Sequence, residues 1–132
     1  MDIAQRTVYV VQEPAPARRA TQGTRPSLDL TDAGRYGALR YCLEWSETAG
    51  LSPAEVVARV RRALAGYGPA DYLLMIGNPT AMAAAALVAA LRGGGVVRML
   101  VWDRDLRRYE MVPVDVRREI ADAATAQERE SA

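Results

Sequence analysis

Six residues with polar or charged side chains fall where three predicted strands end: Glu44 and Glu47, Asn78 and Thr80, Asp103 and Arg104. In an open α/β sheet, ligands bind beyond the carboxyl ends of the parallel strands. A helix starting at Thr80 would turn free N–H groups and a positive dipole end toward an anion. The carboxylates beside it would hold a metal or act as a base. The same residues have a plainer meaning: Asn-Pro is an ordinary helix start, and acids at strand ends are commonly solvated. The stretch around Gly77 has one glycine where a dinucleotide fingerprint needs three, and no Walker pattern is present.

The rest of the composition narrows the chemistry sharply. All 17 basic residues are arginine, and the chain has no lysine and no histidine. A Ser-His-Asp or Cys-His pair therefore lacks its general base. No Schiff base or phosphate-loop lysine is available. Zinc would have to rest on Cys42 and carboxylates, a poor ligand set. Cys42, placed mid-strand among bulky neighbours, reads as a buried and inert thiol. No catalytic residue, metal site or cofactor is assigned, and the balance tips away from an enzyme.

With 132 residues, half of them hydrophobic, the chain is expected to form one α/β domain over 1–132. The net charge of +1 neither recruits nor repels nucleic acid. A single cysteine excludes an intrachain disulfide. The first residues lack a basic segment followed by an apolar one, so no signal peptide is expected. The uncharged run from Tyr72 to Leu91 is interrupted by Gly77-Asn78-Pro79 and reads as a buried strand plus a buried helix, not a membrane span. These features fit a cytoplasmic protein.

The elements that must position the polar residues follow from local pattern. Thr7 to Val11 is a β-branched strand ending before Glu13-Pro14. Residues 14–27 form a proline-broken basic loop carrying Arg18, Arg19 and Arg25. Thr31-Asp32-Ala33 opens a single helical turn that Gly37 stops. Leu39, Tyr41, Leu43 and Trp45 alternate with Arg40, Cys42 and Glu44, which predicts a second strand with one apolar face. Ser52, Pro53 and Glu55 make a capping box before a helix whose stripe is Val56, Val57, Val60 and Leu64. Asp71 to Ile76 is a strand covered on both faces. Asn78 and Pro79 start a helix from Thr80 to Arg92 that is apolar all round and is expected to be largely buried. Gly93-Gly94-Gly95 ends it, and Val96 to Trp102 returns as a strand. A polar turn leads to Tyr109–Val114, placed at a sheet edge by Pro113, with Arg98 and Glu110 paired across the hairpin. From Asp115 the chain has helical character, fraying over 125–132.

Three stretches resemble small proteins encoded by tailed bacteriophages and prophages. They are Val8-Tyr9-Val10-Val11-Gln12-Glu13-Pro14, Asp71-Tyr72-Leu73-Leu74-Met75-Ile76-Gly77-Asn78-Pro79, and Trp102-Asp103-Arg104 with Arg108-Tyr109. In that group a Tyr-Leu-Leu-Leu-Ile-Gly-Asp-Pro strand end precedes an alanine-rich helix, and a Trp-Asp-Arg turn precedes a closing strand. Here Asn78 stands in place of the aspartate, which weakens the case for a carboxylate at that helix start. The resemblance implies a phage or prophage provenance and carries no activity with it.

The expected architecture is α/β: a small mixed sheet of about five strands with two βαβ crossovers and a closing hairpin. The expected function is that of a non-enzymatic accessory or interaction protein acting through protein contacts. Tyr41, Trp45 and Trp102 are its interface residues, and a second copy or a host or phage protein is its partner. The alternative is a small-molecule or nucleotide-binding domain using the strand-end rim. Nucleic-acid binding has only arginine clusters behind it, without the interleaved aromatics such surfaces use. No membrane partner is expected.

Overall fold

The computed structural model describes residues 6–15 and 29–131. Apart from Pro14 and Ala15, the basic loop expected over 14–27 lies outside the described residues, as do Arg18, Arg19 and Arg25. Five strands form one sheet: β1 (Thr7–Gln12), β2 (Ala38–Leu43), β3 (Tyr72–Leu74), β4 (Val96–Asp103) and β5 (Arg108–Asp115). Their order across the sheet is β2-β1-β3-β4-β5. The first four are parallel, and β5 returns antiparallel to β4. The mixed α/β sheet with its two βαβ units is thus as the residue pattern predicts. A third parallel connection, from β1 to β2, passes through a short 3-10 turn at Thr31–Arg35.

Helix α1 (Pro53–Ala63) starts where Ser52 and Glu55 exchange hydrogen bonds. The Ser52 hydroxyl accepts the Glu55 N–H at 3.2 Å, and the Glu55 carboxylate accepts the Ser52 N–H at 3.3 Å. Two of the donors that every helix start leaves free are thereby satisfied. Val56, Val60 and Leu64 are buried against the sheet. Helix α2 (Pro79–Arg92) is capped by Asn78, whose side chain accepts the Ala81 N–H at 3.1 Å. Its alanines 81, 84, 85, 89 and 90 lie buried, and their small size lets the helix approach the strands closely.

β1 is central and covered on both faces. Tyr9 and Val11 join the core under α1 and α2, with Leu73 and Val97. Val8 and Val10 join a second core with Leu30, Ala33, Tyr72, Leu74, Leu100 and Tyr109. The 3-10 turn lids this second face and is pinned to β5. Asp32 accepts the Tyr109 N–H at 2.6 Å, and Tyr36 donates its hydroxyl to the Tyr109 carbonyl at 2.8 Å. β5 is an edge strand, and these bonds occupy backbone groups that an edge would otherwise offer to another chain. Pro113, two steps away from Met111 on the same edge, has no N–H to offer.

Several expectations are corrected. α2 is not buried all round: Leu87 is 68% exposed and Leu91 72%, because no other described element packs outside it. On β2 the buried side chains are Cys42 and Leu43, while Tyr41 is exposed and Trp45 lies beyond the strand end. β2 is itself an edge strand, so Leu39 tucks against the second core, Cys42 packs under α1, and Tyr41 has no cover. Arg98 does not meet Glu110; it faces Pro113 across the hairpin, where Val101 faces Glu110. Its guanidinium instead lies 4.1 Å from the Tyr72 ring centre, and Glu110 pairs with Arg108. The 3-10 turn begins after Leu30 without a side-chain cap. Gly37 is needed for a close approach instead of a stop: a Cβ there would sit 2.3 Å from the Arg6 carbonyl oxygen. Helix α3 (Arg117–Ser131) runs on through residues expected to fray, and all of it is exposed. Among the described residues no helix is long and apolar enough to cross a membrane.

Candidate functional site

The chain reverses its direction across the sheet between β1 and β3, which makes the crevice beyond their carboxyl ends the natural ligand position of this topology. Gln12 occupies it. This side chain ends β1 and is 6% exposed. Its Oε1 accepts the Asn78 N–H at 2.8 Å. Its Nε2 donates to the carbonyls of Glu44 and Trp45, each at 3.2 Å, with Thr48 Oγ1 at 3.4 Å. One neutral amide thus ties the β1 end, the loop after β2 and the start of α2 together. Gly77 makes room for it: its φ is +118°, and a Cβ there would lie 2.4 Å from the Gln12 Cβ. Among the described residues no buried side-chain polar atom lacks a partner.

Three of the six predicted rim residues meet at this joint. Asn78 caps α2 and gives its own N–H to Gln12. Glu44 contributes its carbonyl. Glu47 accepts the Glu44 N–H at 2.9 Å and Arg59 at 2.6 Å. The bond from Glu44, reinforced by Arg59, holds the Glu47 carboxyl below its ordinary value, so it stays charged and already partnered at neutral pH. Thr80 is exposed on the first turn of α2 and helps wall a groove toward α1. Asp103 ends β4, and Arg104 opens the β4–β5 turn. The Asp103 carboxylate accepts the N–H groups of Asp105 at 2.9 Å and Leu106 at 3.0 Å. Among the described residues no three potential metal ligands gather.

Cys42 is buried under α1, and burial pushes its thiol up to about 12. A thiol so poorly ionised is a weak nucleophile.

The surface is more informative than the rim. β4 and β5 bury Val97, Leu100 and Tyr109 but leave apolar side chains open on both faces. Val101, Val112 and Val114 are exposed on the face that carries α1 and α2, and Trp102 and Met111 on the opposite face. Leu106 stands 54% exposed at the hairpin tip. Trp102 lies edge-on to Tyr109, ring centres 5.0 Å apart. Tyr41 and Trp45 are exposed at the far edge, at 41% and 52%. A second apolar surface runs along α2. It is a groove of about 660 Å³ whose walls include Val57 and Arg61 of α1 and Ala83, Leu87 and Leu91 of α2.

Gln12 is the residue that sequence reasoning missed. Its only local signal is a neutral amide closing a buried apolar run, where a charge would suit a solvent-facing strand end. The family model of the Phage Pam3 gp32-like protein matches residues 6–116. That span contains the sheet, α1, α2, the Gln12 joint and the hairpin, and stops where α3 begins. No curated protein and no solved structure matches the chain.

Proposed function

The chain belongs to the Phage Pam3 gp32-like protein family, and from that premise we propose that it is a non-enzymatic accessory protein of a phage or prophage. It acts by protein contact, in the host cytoplasm. The observation that carries this reading is the β4–β5 hairpin, which offers Val101, Trp102, Met111, Val112 and Val114 to solvent. An apolar surface of that kind is characteristic of interfaces, and Trp is enriched among the residues that dominate binding energy. The occupant is a host or phage protein. The rim favours this reading over a ligand site, because the Gln12 amide fills the crevice and Glu47 is engaged by Arg59.

The test is co-purification from phage-infected host cells. Met111→Lys with Val112→Lys places charge on both faces of the hairpin at exposed positions. The double variant should keep the wild-type melting temperature and lose a protein that the wild type retains. An identical set of retained proteins would exclude the hairpin as the contact.

A further inference from the structure

We infer that the α1–α2 groove receives helix α3 of a second copy of this chain, so that two copies exchange their C-terminal helices. This contact is separate from the hairpin and does not rest on it.

The first observation concerns α3 itself. It has 15 residues, none buried. A helix of that length is marginal in water without tertiary packing. Yet it is not loosely attached. The Asp115 carboxylate accepts the Arg117 backbone N–H at 3.0 Å and its guanidinium at 2.6 Å. The Val116 N–H bonds the Gly95 carbonyl at 2.7 Å. Gly95, with φ +93°, lets Arg117 lie where a Cβ would be 2.6 Å from its Cγ. These contacts set the direction in which α3 leaves the domain and keep it off its own helices.

The second observation is the match between helix and groove. At helical spacing, Ile120, Ala123, Ala124, Gln127 and Ser131 share one side of α3. Glu119, Glu128 and Glu130 flank that side. The groove offers the converse: large projecting side chains, Leu87 at 68% and Leu91 at 72% exposed, with Arg61 as the charged residue in its wall. Small residues facing large ones, and carboxylates facing a guanidinium, are what a helix pair needs to close. α2 has 14 residues to the 15 of α3, so the two are alike in length, about 21–23 Å at the usual rise. A twofold axis makes each such contact twice.

Light scattering of the full chain at micromolar concentration should give about twice the 14.4 kDa chain mass. Leu87→Glu and Ile120→Glu, both at exposed positions, should each weaken the dimer more than about tenfold without lowering the melting temperature of the monomer. Met111→Lys with Val112→Lys should leave it intact, which separates this contact from the hairpin. Arg61→Glu should weaken association, and adding Glu128→Arg should restore it. Mixing a Leu87→Cys chain with an Ala124→Cys chain under mild oxidation should yield a covalent pair of one of each; Cys42, being buried, does not compete. A monomer in scattering, a dimer indifferent to Leu87→Glu and Ile120→Glu, or a Leu87→Cys, Ala124→Cys double variant that links only within one chain would overturn the inference.

Discussion

The side-chain oxygen of Gln12 accepts the backbone N–H of Asn78 across 2.8 Å, joining two residues 66 positions apart. That bond fastens the start of α2 to the end of β1, while the amide nitrogen of the same side chain holds the loop after β2. Gln12→Ala would strip the Asn78 N–H and the Trp45 carbonyl of their partner, while the Glu44 carbonyl keeps the Glu47 N–H at 3.1 Å. A loss of about 1–3 kcal/mol is expected, since an orphaned buried group costs its desolvation. Urea unfolding measures it, and an unchanged midpoint would show that water replaces the amide at no cost.

Ser52→Ala removes the hydroxyl that accepts the Glu55 N–H. The expected loss is about 1 kcal/mol, read from the same denaturant curves. Glu55→Gln, which keeps the reciprocal acceptor, should cost less. Equal losses for the two variants would mean that the acid's charge at the helix start matters as much as the hydroxyl.

Ala85 is fully buried on the inner side of α2, whereas Ala83 lies on its exposed side. Ala85→Arg should unfold or aggregate the protein, because an unpaired guanidinium would enter the core. Ala83→Arg, measured at concentrations too low for self-association, should change stability by no more than about 0.5 kcal/mol. Similar melting of the two variants would contradict the orientation of α2.

Burial raises the Cys42 thiol from 9.0 to about 12 and the Tyr67 hydroxyl from 10.0 to about 12. Both groups are neutral when protonated, so the fold favours their protonated forms. Their contribution is complete below the unfolded values and is lost as pH climbs toward 12. Stability should therefore decline from about pH 9 upward, and Cys42 should resist thiol reagents at pH 8 until the chain unfolds. Rapid labelling of the native protein would show that the thiol is accessible.

Local signals carried much of this fold. Ser52-Pro53 with Glu55, Asn78-Pro79 and the Gly93-Gly94-Gly95 stop are short-range devices, and each lies where its residues predict. The connections that close the molecule are long-range. Asp32 meets Tyr109 across 77 positions, and Gln12 reaches Glu44 across 32. No periodicity marks such pairs. The alternation over Leu39 to Trp45 predicted the strand but not its cover, because an edge position leaves Tyr41 open while the core takes Cys42. Apolar composition likewise overstated the burial of α2, since Leu87 and Leu91 are apolar and face outward. At the rim, Asn78 was legible as a cap. Its tie to Glu44 and Glu47 runs through Gln12, which no motif singles out.

Protein contact and ligand binding part company in one measurement, the melting temperature of the chain with millimolar phosphate and a panel of nucleotides. A ligand held at Asn78 and Thr80 would stabilise the fold by mass action. With the Gln12 amide in the crevice, no shift is expected with any of them, and Thr80→Glu should melt like the wild type throughout. A rise of several degrees that Thr80→Glu abolishes would contradict the contact reading and make the strand-end rim a binding site.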